Sequence, residues 1–379
     1  MMTCKGVSAE RLTVHGRGAM GDDWMTLRMC ARAAVTVAVV FVTTGAVAAQ
    51  TPPAPLPDVR TLGPQVGQAV PAISLTDQKG VTRTLASLMG PKGLMLVFSR
   101  SADWCPYCKT QMAELQTKVE DLRRSGLGVA VVTYDPVSVL ADFASRRGIT
   151  YPLLSDAGSE TIKRFGILNT TVPAENKTNV GIPFPGTFLL DTKGVVTSRF
   201  FKPAYQERVT VGSVLARLGN RLDVPVTKLS SPQVNVTAYA TDGVVAPGTN
   251  FSLVLDVEPG PKMHVYAPGV TGYKPIALML QPPPGVQVKA AQFPKSEEYY
   301  FAPLKERVQV YQKPFRVVQD LAVDASPAGR AALKGVSELV VKGTLTYQAC
   351  DDKVCYTPQT VPLSWTVGLR GLDVERGKP

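Results

Sequence analysis

The rhythm of apolar positions along this chain changes near residue 230. Upstream, uninterrupted apolar runs alternate with helical stripes. Gly93-Leu94-Met95-Leu96-Val97-Phe98 has no polar break and predicts a buried strand. A helix is predicted from Pro106 to near Gly126, with Cys108, Met112, Leu115, Val119 and Leu122 on one face. Val129–Tyr134 predicts the next buried strand, and Val139–Arg147 a helix stopped by Gly148. Thr187–Asp191 predicts a third strand, turning at Lys193-Gly194, and Val211–Leu222 a closing helix. Strands alternating with helices define an α/β sheet, placed at 63–222.

Downstream the pattern becomes short strands between turn residues. Val234–Ala240, Phe251–Val257, His264–Ala267, Val286–Ala290, Val308–Tyr311 and Leu339–Thr346 are the predicted strands. Pro282-Pro283-Pro284-Gly285 breaks any long helix there. This region, 232–369, predicts an all-β sandwich of immunoglobulin-like kind. Residues 223–231 are expected to be a linker and 370–379 a tail. Gln50–Pro57 opens a Pro-rich tether, 50–62.

The N-terminus adds a compartment. Arg28 and Arg32 precede or open an apolar run, Ala33–Val42, which is followed by Gly45-Ala46-Val47-Ala48-Ala49. That order predicts a cleaved export signal over 1–49, with the mature chain starting at Ala49 or Gln50 and Met25 an alternative start. An uncleaved anchor is the competing reading, and the run is short for a membrane span. The expected localisation is periplasmic or otherwise exported. The net charge of +11 is spread without a basic run. Nucleic acid is therefore not an expected partner.

Six cysteines reduce to four once the signal is removed, and these four form two close pairs. Trp104-Cys105-Pro106-Tyr107-Cys108 falls where a strand gives way to a helix. Free amides and the dipole at a helix N-terminus favour a thiolate, so Cys105 is the expected attacking thiol and Cys108 the resolving one. Arg100 and Lys109 are nearby cations that could help. Cys350-Asp351-Asp352-Lys353-Val354-Cys355 is the second pair. A structural staple is the alternative for either pair, more so for the second, and a four-cysteine zinc site using both is a weaker one. His264 is the only histidine after the signal, which leaves little support for histidine-based hydrolysis or multi-histidine metal sites.

The first region resembles the thioredoxin superfamily through Trp104-Cys105-Pro106-Tyr107-Cys108, and AhpC/TSA peroxiredoxins through Tyr151-Pro152-Leu153-Leu154-Ser155-Asp156. The resemblance implies a thioredoxin-like fold. It places Pro185-Gly186-Thr187-Phe188 at the cis-proline loop, with Pro185 cis beside the dithiol, and Trp104 and Pro106 as support for the groove. Departures are visible. The peroxiredoxin hydroxyl residue and proline are replaced by Ala102 and Phe98, the buried thioredoxin aspartate by Ser99, and a glutamate of related reductases by Gln111.

The second region resembles the N-terminal domain of DsbD-type thiol:disulfide reductases, through Thr346–Cys350, Cys355–Pro358 and Thr360–Leu363. That resemblance implies two cysteines facing each other across neighbouring strands. It also implies a cap loop at Glu297-Glu298-Tyr299-Tyr300, with Tyr299 over the disulfide and Glu297 and Glu298 as nearby acids, and an active-site tyrosine on the strand of His264-Val265-Tyr266.

Together these imply an exported thiol-disulfide oxidoreductase that uses redox-active disulfides and no other cofactor. Periplasmic protein thiols and disulfides, and a membrane electron donor of DsbD type, are the implied partners. An internal relay between the two dithiols is expected. A thiol peroxidase using Cys105, and a binding protein with an inert second disulfide, are the rival readings.

Overall fold

The computed structural model describes residues 57–302 and 304–377. The expected export signal and most of the expected tether lie outside the described residues. The described end of the tether is docked: Arg199 donates to the carbonyls of Val59, Arg60 and Leu62.

The first sheet has seven strands: β1 Ser74–Asp77, β2 Thr82–Thr84, β3 Gly93–Phe98, β4 Leu127–Thr133, β5 Leu153–Ser155, β6 Gly186–Leu190 and β7 Val196–Phe201. Their order is β2-β1-β5-β4-β3-β6-β7. β3 is buried along its whole length, as its unbroken apolar run requires. Its pairing with β4 is parallel and with β6 antiparallel. Helices α1 Leu85–Leu88, α2 Pro106–Thr117, α3 Val119–Arg124, α4 Val137–Arg147, α5 Glu160–Arg164 and α6 Val211–Arg217 accompany the sheet. The single helix expected from Pro106 is split into α2 and α3 at Lys118, which has φ −113° and ψ 6°. A two-residue strand, β8 Arg208–Val209, precedes α6.

The second region is built from β9 Thr227–Ser230, β10 Val234–Ala240, β11 Val244–Val245, β12 Thr249–Pro259, β13 His264–Tyr266, β14 Ala277–Gln281, β15 Val286–Gln292, β16 Glu297–Phe301, β17 Glu306–Tyr311, β18 Phe315–Val323, β19 Glu338–Tyr347, β20 Ala349–Cys350 and β21 Gln359–Leu369, with one short helix, α7 Pro327–Ala332. Three sheets result: β15-β18-β12-β10-β9, β11-β21-β19-β14 and β16-β17-β13-β20. Side chains of the first two meet in a core that includes Phe251, Leu255, Val341 and Trp365. The segment 223–231, expected as a linker, instead supplies β9, which pairs with β10.

The two regions are docked through shared structure. β8 runs parallel to the start of β12, and α6 lies in one apolar cluster with Tyr239, Val254 and Ala325 of the second region. Gly212 fits there because a Cβ would meet the Thr241 carbonyl oxygen at 2.2 Å. Around this cluster Arg217 pairs with Asp320, and Arg316 bridges Asp256 and the Ala216 carbonyl. The tail then returns to the first region. Asp373 pairs with Arg147 and donates its backbone amide to Thr110 Oγ1 at 2.8 Å, while Arg376 pairs with Asp103. The tail covers Lys109 and Thr110 of α2, and Glu114 of the same helix is buried against the start of α6.

Candidate functional site

Asp135, just after β4, organises the approach to the first dithiol. Its carboxylate accepts Ser101 Oγ at 2.9 Å and the Ala102 amide at 2.6 Å. Ser101 Oγ in turn accepts the amides of Asp103 and Trp104. Burial holds the Asp135 carboxyl above the usual range, and those same donors oppose the shift. The chain then enters α2 with Cys105 as N-cap, extended at φ −91° and ψ 100°, and Pro106 as first helical residue.

Cys105 and Cys108 are disulfide-bonded with Cα atoms 5.3 Å apart. Cys105 Sγ accepts the Cys108 amide at 3.3 Å, the contact through which a helix N-terminus stabilises a thiolate. Both residues are buried, at 1% and 0% exposure, so exchange needs the surrounding surface to open.

The expected cations have other occupations. Arg100 lies against the rings of Trp104 and Tyr205, 4.7 and 4.3 Å from their centroids. Lys109 donates to the Glu375 carbonyl of the tail. The cation at the sulfur is Arg208, whose Nη2 lies 3.6 Å from Cys108 Sγ. It comes from β8, a hundred residues away, and no local spacing points to it. Trp104 donates its indole N–H to Tyr134 Oη at 2.8 Å. Ser99 is buried with an unpartnered hydroxyl, and Gln111 has an unpartnered Oε1.

Pro185 is buried at the start of β6, but it is not cis: the described residues contain no cis peptide bond. The Phe184 amide bonds the Ile167 carbonyl at 2.7 Å, and Gly186 pairs at once with Phe98 and Phe201. The chain therefore runs extended through the proline, and trans is the ordinary preference of such a bond.

The second dithiol joins Cys350 of β20 to Cys355, with Cα atoms 4.1 Å apart. The two face each other across an antiparallel β-bridge, as the resemblance implies, and the bridge closes a tight local turn in which Asp351 accepts the amides of Lys353 and Val354. Cys350 is buried and Cys355 exposed. Tyr266 Oη lies 3.2 Å from Cys350 Sγ and 3.5 Å from Cys355 Sγ. Its ring stacks on Tyr273, 4.2 Å between centroids, and Tyr273 donates to Glu306 at 2.8 Å. Burial pushes the Tyr266 hydroxyl well above its usual range, so it stays a donor.

Tyr299 packs against the cluster of Tyr266, Val310 and Cys350 and lies 4.5 Å from the His264 ring. Burial lowers the His264 pKa, which favours a neutral imidazole. Glu298 does not join them. It alternates with Tyr299 along β16, is exposed, and pairs with Arg307, while Glu297 pairs with Lys313. Tyr273 and Glu306, which support Tyr266, and Asp351, which caps the turn between the cysteines, escaped sequence reasoning because only the folded turns and strand pairing bring them there.

The dithiols lie at opposite ends of the second region. The start of β12 meets β8 and Arg208, and its far end leads through Met263 to His264, the partner of Cys350. β19 likewise runs from the docked end to Tyr347. Strands of this length, 11 and 10 residues, put about 30 Å between the pairs. The docked arrangement therefore does not bring the two pairs together as a direct internal relay would require.

An α/β sheet with a C-x-x-C at the N-terminus of α2 is an arrangement suited to thiol-disulfide exchange. Residues 66–199 match the model of the AhpC/TSA family and residues 234–364 match "Thiol:disulfide interchange protein DsbD, N-terminal", the two resemblances read from the sequence. Among its relatives, peroxiredoxin Q of Populus jackii is 32% identical over 130 residues, 34% of this chain and 57% of that protein. Thiol-disulfide oxidoreductase ResA of Geobacillus kaustophilus is 30% identical over 132 residues, 35% of this chain and 66% of that protein. The structure of peroxidoxin BcpB from Mycobacterium tuberculosis has 26% identity and a TM-score of 0.34, covering 38% of this chain and 89% of that one.

Proposed function

We propose that this chain is an exported thiol-disulfide oxidoreductase with two working dithiols that meet different partners. The observation that carries the reading is the first dithiol, in which Cys105 Sγ receives a helix N-terminal amide while Cys108 Sγ receives a guanidinium. Attack of a reductant's thiolate on Cys105 forms a mixed disulfide and releases Cys108 as thiolate. A second thiol of the reductant then resolves the mixed disulfide and leaves both cysteines reduced. Cys350–Cys355, with one exposed sulfur, is the pair that meets protein thiols at the outer end of the second domain. Electrons pass between the two pairs from one molecule to another, or after the docked faces separate.

Turnover of insulin disulfides with a dithiol reductant tests the reading. The full chain should turn over, Cys105→Ser should lose the share carried by the first dithiol, and a chain inert in every variant would reject the reading. The link between pairs is tested with a Cys108→Ser, Cys350→Ser variant in mild oxidant. A Cys105–Cys355 link that joins two chains supports exchange between molecules. Its absence, together with that of Cys105–Cys350 in the Cys108→Ser, Cys355→Ser variant, rejects any relay.

Peroxidase activity is the second reading, favoured by relatives named peroxiredoxins. Against it, Ala102 gives no hydroxyl three residues before Cys105, and its amide is taken by Asp135. Peroxide consumption dependent on Cys105 would establish it.

A further inference from the structure

Arg208 is buried, yet its side chain has no carboxylate partner. Its guanidinium donates to the carbonyls of Tyr205 and Glu207 and to Cys108 Sγ, and Nε has no partner at all. The groups that face it among the described residues are Arg100, which repels it, and the rings of Tyr107 and Tyr205. Burial and Arg100 lower its pKa to about 9, which leaves it charged at neutral pH. A buried cation without a counter-ion is costly.

The position is held from the second domain. The Arg208 amide bonds the Gly248 carbonyl at 2.8 Å, and the Thr210 amide bonds that of Asn250 at 3.0 Å. Gly248 has φ +88°, and a Cβ there would meet the Gln206 carbonyl oxygen at 2.4 Å and Tyr107 at 3.1 Å. Arg330 of α7 also reaches Tyr107 Oη at 3.2 Å. The second domain thus presses β8 against the helix that carries the cysteines.

We propose that Arg208 is the electrostatic partner of the Cys108 thiolate, positioned by strand pairing with the second domain, and that it makes the first dithiol a strong electron acceptor. The inference rests on the exchange reaction above. When a thiolate of a dithiol reductant attacks Cys105 Sγ, a new S–S bond forms and the Cys105–Cys108 bond breaks. The electron pair leaves on Cys108 Sγ, which becomes the missing counter-ion of Arg208. In the reverse direction the same thiolate, already formed, attacks the mixed disulfide at Cys105. A group that stabilises the thiolate stabilises the reduced form, and so raises the reduction potential.

The test measures the dithiol itself and needs no protein substrate, so it stands apart from the turnover assay. In a full-length Cys350→Ser, Cys355→Ser background, the alkylation rate of each remaining cysteine is followed against pH, and the Cys105–Cys108 pair is equilibrated with glutathione. Cys108 should titrate at least one unit below an ordinary thiol. Arg208→Gln should remove that shift and move the equilibrium at least tenfold toward the disulfide, which corresponds to about 30 mV. Arg208→Lys, which keeps the charge, should recover part of both effects. An ordinary Cys108 titration in the parent chain overturns the proposal even if Arg208→Gln fails to fold. So does an unchanged equilibrium in a folded Arg208→Gln, or a lysine that recovers nothing.

Discussion

At the first dithiol both sulfurs are buried and a guanidinium faces one of them. At the second, one sulfur is exposed and a tyrosine hydroxyl, itself held in an aromatic stack, faces both. A cation stabilises a thiolate by charge, whereas a phenol offers only a hydrogen bond and its apolar surround resists charge. The same covalent bond is thus set to two tasks. On the proposed reading, the enclosed pair accepts electrons and the exposed pair meets partners.

Access gives the largest predicted contrast. Dithiothreitol must wait for local opening at Cys105, while Cys355 is reachable at once. An opening cost of about 3 kcal/mol makes Cys350–Cys355 roughly a hundredfold faster to reduce. Timed acid quench, alkylation and peptide mapping give both rates. Equal rates would break the comparison, because the first dithiol would then be as open as the second.

The enclosure should also carry a pH dependence that the exposed pair lacks. Glu114 of α2 accepts the Val211 amide at 3.1 Å, and Asp242 of the second domain accepts the hydroxyls of Thr210 and Thr241 at 2.6 and 2.7 Å. The beginning of α6 therefore holds one carboxyl from each domain. Burial, then Asp242, raises Glu114 from 4.5 to about 8, and burial raises Asp242. The folded chain then binds more protons than the unfolded chain across that window, so stability falls as pH rises from about 4.5 to about 8. Glu114→Gln should flatten the slope of denaturant midpoint against pH. An unchanged slope would remove this pair from the interface's electrostatics.

A smaller effect separates the hydroxyl from the stack at the second dithiol. Tyr266→Phe keeps the ring against Tyr273 and removes the donor to both sulfurs. One hydrogen bond of about 1 kcal/mol predicts roughly a fivefold shift in the equilibrium of Cys350–Cys355 with glutathione, toward the disulfide. The first dithiol should not move. A shift shared by both pairs would indicate a global change and not a local one.

Much of this was legible in the chain. The unbroken apolar run of β3 and the stripe of α2 are local patterns, and each sits next to Cys105. What escaped lies where polar residues do interior work. β18 was not predicted, because Arg316, Gln319 and Asp320 interrupt its apolar run. In the fold, Arg316 and Asp320 pair with Asp256 and Arg217 at the docked face. The docking of the two domains was invisible for the same reason, and so was Arg208. Pro185 misled through resemblance: the motif is present, but the backbone around it is an ordinary extended entry to β6.

The smallest effect is predicted for Glu298, the acid that resemblance places beside the thiols. Successive strand residues point to opposite faces, so Tyr299 on the dithiol side puts Glu298 on the other. Its partner there is Arg307, and both side chains are more than half exposed, at 53% and 67%. Surface pairs of this kind contribute between about 0 and 1 kcal/mol. Glu298→Gln should therefore leave the reduction rate and equilibrium of Cys350–Cys355 within about twofold of the parent. Tyr299→Ala uncovers Cys350 on the side where Tyr299 packs, and should speed reduction several-fold. If Glu298→Gln shifts the dithiol more than Tyr299→Ala does, then β16 must re-register or lift during exchange and bring its other face to the sulfurs. The aromatic cover would then be a moving part, and the contrast drawn here between an enclosed pair and an open one would apply only to the resting state.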